Sequence, residues 1–235
     1  MATETTIRVN FGKPMPVFPL NNAVLMPHGI LPLHIFEDRY KQMVADALDG
    51  SGQIAMAVFE GPRWKQEYHG RPPIRPAVCV GHIIQHFKLP NGNYNIALQG
   101  VCRAKILQEL PAKEGRLYRE ALLEPVGVGN VDESTLAPFR QTLSDSLSHE
   151  PLSDLRGAAG FVEHLNSDDV PTSAILELLA LAFLGDSEVR YELLASANPE
   201  ARARIVSTQL ADLERLLKRA APQRQVETPK GCNWN

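Results

Sequence analysis

The sequence predicts an α+β protein, a β-rich antiparallel first part followed by a helical bundle, and three observations carry that prediction. Through residue 126 the apolar residues come in short runs broken by Pro and Gly, the pattern of strands. Beyond roughly residue 132 they recur at helical spacing, and Pro and Gly thin out. Asn91–Gly92, flanked by alternating apolar residues, is a strong hairpin signal because a type I′ turn needs positive φ at both centres.

Taken in order, PVFPL (16–20) and ILPLHIF (30–36) are the first strands. Their prolines, 16, 19 and 32, predict edge or bulge positions, because proline cannot donate to a ladder. Tyr40, Met43, Val44, Ala47 and Leu48 fall at helical spacing, so a helix follows at once, with Glu37 and Asp38 as first-turn charges that suit its dipole. His34 shares strand parity with Pro32 and Phe36 and is predicted to face outward. QIAMAVFE (53–60) is a cleaner strand, and LYREALLEPV (117–126) is the last of this half.

A two-residue Asn91–Gly92 loop would pair position i with 183 − i. One face then collects Cys79, Ile83, Phe87, Leu89, Tyr94, Ile96, Leu98 and Cys102. The other collects His82, His86, Lys88, Asn95, Gln99, Arg103 and Lys105. An antiparallel sheet with one covered face reads this way.

GVGN (127–130) is the joint. Two stripes follow it, Leu136/Phe139/Leu143/Leu147 and Leu155/Ala159/Val162/Leu165. AILELLALAFL (174–184) is apolar nearly all round and predicts a central buried helix. The Asp and Ser of LGDSEV (184–189) are read as capping the next helix. Asn198–Pro199 starts a last helix with Val206, Leu210, Leu213 and Leu217 on one stripe, ending near Lys218 and Arg219. The expected organisation is 1–126 β-rich, 132–220 helical, and 221–235 a flexible tail.

Composition narrows the function classes. A net charge of −3 over 235 residues shows none of the basic bias of nucleic-acid binders. No stretch approaches the roughly 20 apolar residues of a membrane span, and the N-terminus has no signal-peptide core. Three cysteines without metal spacing suggest reduced thiols in a cytoplasmic protein.

Candidate chemistry is sparse. HIIQH (82–86) has zinc-motif spacing but lacks the glutamate and reads as a strand. On one sheet face its histidines would stand about 13 Å apart at 3.3 Å per residue, too far to share an ion. No nucleophile elbow, phosphate-binding loop or dinucleotide fingerprint is present. No catalytic, cofactor-binding or metal-binding residue is therefore assigned. The long connection 61–76 carries Trp64 and Tyr68, and the turn 21–29 carries Met26 and His28. These four are the candidate binding residues, since long connections with aromatics often carry recognition. The competing reading is that Trp64 and Tyr68 pack back over the β-structure as a lid.

FPLNNAVLMPHGILPLHIFEDRYKQMVADAL resembles the opening of the Lon protease N-terminal domain family. GHIIQHFKLPNGNYNIALQGVCRAKI resembles the same family's G-x-I … L-P-D-G … L-x-G-x-x-R signature, with Asn91 in place of the usual Asp. EVRYELLASANPEARARIV (188–206) is similar to its E-K-Q-x-L-L…D-x-x-x-R-L helix pair, with Tyr191 for Gln and Asn198 for Asp. The resemblance implies a PUA-like β-barrel with a helical bundle. It also implies a stand-alone, non-enzymatic module that binds unfolded or tagged polypeptides or a protein partner, because no ATPase or serine–lysine protease motif is present. The alternative class is a small-molecule- or RNA-binding PUA-like protein, and the charge weighs against RNA.

Overall fold

The computed structural model describes residues 7–224, apart from 69, 128 and 130. Strands β1 (Met15–Leu20) and β2 (Ile30–Ile35) are followed by helix α1 (Asp38–Leu48) and strand β3 (Gln53–Val58). The long hairpin β4 (Ala77–Lys88) and β5 (Tyr94–Glu109) comes next, then β6 (Arg119–Pro125). Helices α2 (Glu133–Ser148), α3 (Ala158–Leu165), α4 (Thr172–Phe183), α5 (Ser187–Ala195) and α6 (Pro199–Arg224) complete the described chain. The expected tail lies largely outside the described residues, and α6 continues past Arg219.

The sheet order is β2-β5-β4-β3-β1-β6, with β6 also paired to β5. Five strands thus close on themselves. β5 makes this possible by its length: one edge pairs with β4 along 94–105, and the other takes β2 along 94–99 and β6 along 104–109. The sheet is mixed rather than wholly antiparallel. β1 runs parallel to β3, because the intervening β2 and α1 return the chain to its starting end. β1 is also not an edge strand. It lies between β3 and β6, but β6 covers only Met15–Val17, which leaves the Pro19 end open on that side. β2, with Pro32, is a true edge.

Two apolar layers result. Ala55, Ala57, Val78, Val80, Ala104, Ala121 and Leu123 fill the inside of the ring, where small side chains suit a narrow interior. On the outer face Ile54, Met56, Cys79 and Leu98 join α1 and the helical bundle in one continuous core. In the second stripe of the bundle it is Ala158, not Ala159, that is buried. Asp186 and Asn198 cap α5 and α6, accepting from Glu188 N–H and Glu200 N–H at 2.8 Å each. Tyr191 ties the bundle to the sheet: its hydroxyl accepts from Ala77 N–H at 2.9 Å, and the Arg75 guanidinium lies over its ring.

The hairpin register differs from expectation. Gly92 N–H donates to Leu89 O and Leu89 N–H to Asn93 O, so the loop is Pro90–Asn91–Gly92, with Gly92 at φ +82°. Pro90 suits the first central position of a type I turn and Gly92 the left-handed residue after it, a three-residue loop. Pairs near the loop therefore sum to 182. Two irregularities follow, at Ile84 and Val101, and each extra residue reverses side-chain parity beyond it. Phe87 is consequently opposite Asn95 and exposed, not in the core. Cys79 and Cys102 fall on opposite faces, as do His82 and His86. Arg103 turns inward onto the bundle, where Glu177 meets it.

Candidate functional site

The 61–76 connection folds back on the barrel. A Phe59–Ile74 bridge and the Arg75 N–H bond to Val58 O close its ends. Gly61, at φ +62°, turns the chain into the short helical turn Pro62–Lys65. This turn lays Trp64 parallel to Phe59, with ring centroids 5.7 Å apart, and Tyr68 meets Trp64 edge-on at 6.3 Å. Trp64 and Tyr68 are both half-buried.

Tyr68 reaches the start of α1. Its hydroxyl donates to Glu37 Oε1 in a short hydrogen bond, and Arg39 Nη1 donates to its carbonyl at 3.0 Å. Arg39 Nε donates to Glu37 Oε2 at 3.0 Å, and its guanidinium sits between the Tyr40 and Tyr68 rings at 4.5 and 4.7 Å. Burial raises the Tyr68 phenol pKa, and the hydrogen bond to Glu37 adds to it. Burial pulls Arg39 down, yet Tyr40 and Glu37 hold it above its ordinary value. Glu37 is thus the N-cap of α1 and the acceptor of two side chains, a larger role than that of a dipole charge.

Beside this cluster lies a cavity of about 200 Å³, walled by Pro19, Tyr40, Phe59, Pro72 and Tyr118 and by Arg39, Arg71, Arg116 and Arg119. Its walls are fastened to α1. Gln42 bonds Gly115 O and Leu117 N–H at 2.7 Å each, and Tyr118 O–H donates to Asp46 at 2.9 Å. Burial, then the Asp46 hydrogen bond, push the Tyr118 pKa up to about 12. Three of the four guanidiniums face carboxylates: Arg39 with Glu37, Arg116 with Glu120, and Arg119 with Glu109 at 3.2 Å. Arg71 donates to Leu110 O at 3.0 Å.

The second candidate region divides. Met26 is fully buried, since the turn 21–29 is laced to β5 by His28 N–H to Gly100 O and Gly100 N–H to Gly29 O. Its side chain is core, which corrects its expected place at a surface. His28 is exposed at φ +64°. His34 faces outward as expected, its Nδ1 2.7 Å from Asn95 Oδ1.

Sequence reasoning missed another surface. On the outward side of β2, β5 and β4, Ile30 (60% exposed), Phe36 (61%), Ile84 (46%) and Phe87 (58%) are uncovered around His34 and Asn95. β2 pairs only with β5 among the described strands, so its other edge is open. Phe36, at the parity of His34, was a usable signal. Phe87 was hidden by the register error. Among the described residues no group of three His, Cys, Asp or Glu could hold a metal ion, and no helix is long and apolar enough to cross a membrane.

The fold is therefore that of an α+β module, a mixed six-stranded sheet backed by helices, bearing an aromatic lid and an apolar open-edged face. The chain belongs to the family of ATP-dependent protease La (LON) substrate-binding domains, whose family model matches residues 14–212. The Lon protease of Anaeromyxobacter dehalogenans is 28% identical over 126 residues, 52% of this chain and 14% of that protein. Lon protease 2 of Herpetosiphon aurantiacus is 27% identical over 200 residues, 84% of this chain and 23% of that protein. The chain thus spans under a quarter of these relatives' length. Among solved structures, the N-terminal domain of Mycobacterium avium complex Lon protease superposes with a TM-score of 0.63 at 18% identity, over 85% of this chain and 99% of that one. The Lon N-terminal domain protein from Xanthomonas campestris gives 0.55 at 18% identity, over 88% and 98%.

Proposed function

We propose that this protein is a non-enzymatic recognition module that binds unfolded or tagged polypeptides, as an adaptor or chaperone-like factor in the cytoplasm. The observation that carries the reading is the exposed apolar face of β2–β5–β4 beside an unpaired strand edge, in a chain of a substrate-binding family. An extended peptide could add to β2 through main-chain hydrogen bonds with its side chains on Ile30 and Phe36, while the rest of the polypeptide crosses the face to Phe87, two strands further on. Pro32 interrupts that edge, which suits a transient partner better than a permanent strand. The Trp64–Tyr68 lid is the second contact region. Its rings are partly covered by Phe59 and Arg39, and aromatics anchored in this way are common at recognition sites.

Fluorescence anisotropy with a labelled, permanently unfolded polypeptide tests this. Phe36→Ser with Phe87→Ser should weaken binding about tenfold or more, because each buried aromatic contributes one to several kcal/mol. Trp64→Ala with Tyr68→Ala should weaken it less. Full affinity in both double variants would overturn the assignment of these surfaces, and no binding by the unaltered protein would overturn the function.

A further inference from the structure

We infer that the arginine-lined cavity is a carboxylate-binding subsite for a polypeptide, taking either a C-terminal carboxylate or an acidic side chain. The inference rests on the polypeptide-binding reading and adds a chemical class to it.

The donor set points to an anion. Arg119 is nine-tenths buried on β6; its Nη2 donates to Pro72 O at 2.7 Å and its Nε faces Glu109. Its Nη1 is buried with no hydrogen-bond partner. Buried donors are nearly always satisfied, and Arg119 lines the cavity, so an acceptor entering there needs only a small turn of this side chain to take its spare donor. Burial, then Arg71 and Arg39 acting against the pull of Glu109, depress the Arg119 pKa. An added negative charge would offset the repulsion from Arg71 and Arg39 and favour the charged form.

The charge count favours a monoanion. Three of the four guanidiniums already have carboxylates, and Arg71 has only a backbone carbonyl. One surplus positive charge matches a carboxylate better than a phosphate dianion, and a guanidinium fork matches it geometrically. The aromatic and proline walls suit the apolar body behind such a group. At about 200 Å³ the space takes one residue rather than a long segment. Trp64 stacks on Phe59, a wall of the cavity, so the lid borders the subsite.

The test uses the full chain and two probe sets. Side-chain Nε–H resonances of the arginines are followed during titration with N-acetylglycine, N-acetylglycinamide, propionate and inorganic phosphate. Arg119 and Arg71 should shift with N-acetylglycine or propionate and stay still with the amide. No shift with either carboxylate, or tighter binding of phosphate, would overturn the inference whether or not polypeptides bind. In the second set, a labelled apolar peptide is compared as free acid, as C-terminal amide, and as an amide carrying one internal Asp. Preference for the free acid assigns the terminus, and preference for the Asp form assigns the side chain. The gain should be about tenfold or more, as for a hydrogen bond to a charged group. Arg71→Gln should remove that gain with an unchanged melting curve, because Arg71 is exposed. Arg119→Lys, which keeps the charge but not the fork, should remove most of it. Equal affinity for all three peptides would overturn the subsite and leave polypeptide binding standing. No peptide binding would overturn the proposed function instead.

Discussion

Glu177 sits where α4, β5 and α6 meet, 3% exposed within an otherwise apolar run. Its Oε1 lies 2.5 Å from Arg103 Nη1 and 3.9 Å from Arg202 Nε. Arg103 also reaches Leu193 O, and Arg202 reaches Ser196 O and Ala197 O. One carboxylate therefore faces two buried guanidiniums. Burial, then repulsion from Arg103, lower the Arg202 pKa to about 10 against the pull of Glu177. Arginine side chains stay protonated in proteins, so Glu177→Gln leaves two buried cations with no counter-charge. Breaking a buried ion pair from one side costs about 3–5 kcal/mol, roughly a fifth or more of a typical stability of about 5–15 kcal/mol. Equilibrium urea unfolding followed by circular dichroism should show the midpoint fall accordingly. Replacing all three together, Glu177→Leu with Arg103→Met and Arg202→Met, should recover most of the loss, since an apolar substitute removes the desolvation cost with the charges. A Glu177→Gln loss below about 1 kcal/mol would refute the reasoning, because it would mean that water reaches these guanidiniums.

Other expectations follow from single contacts. Gly100→Ala should destabilise by about 3 kcal/mol in the same assay, because its Cβ would overlap the Met26 carbonyl oxygen, which is backbone and cannot swing aside. Asp186→Ala should cost about 1 kcal/mol through loss of the α5 cap. The Tyr118 phenol should ionise near 12 in the folded protein. Because its folded pKa is raised, its stabilising contribution is complete below pH 10 and is lost as pH rises toward 12. Absorbance at alkaline pH should show a late tyrosinate step whose amplitude falls by one tyrosine in Tyr118→Phe, and which moves to about 10 on unfolding. The Cys79 thiol, fully buried and pushed up by that burial, should resist alkylation until the protein unfolds.

Much of the fold was legible because it depends on local rules. The hairpin, α1, the caps at Asp186 and Asn198, and the buried α4 each follow from propensity and spacing within a few residues. What failed was parity. Pro90 turned a two-residue loop into three, and the extra residues at Ile84 and Val101 follow the bending of β4 and β5 around the ring. A one-residue shift moves every side chain beyond it to the other face. Phe87 thereby went outside, Arg103 inside, and the two cysteines apart. Glu177 had a signal that went unread: a lone charge in an apolar helix implies a buried partner.

The candidate site divides in the same way. Residue order alone places aromatics and arginines along the 61–76 connection and Glu37 and Arg39 at the start of α1. It carries the family as well, through residues whose spacing is set by turns and helix starts. Packing in three dimensions is what closes Tyr68 on Glu37, buries Met26 in the core, and brings four arginines from α1, the connection and the β5–β6 loop and strand to one cavity. Those contacts join residues up to about eighty positions apart. Their geometry depends on sheet closure and strand register, which no local pattern encodes.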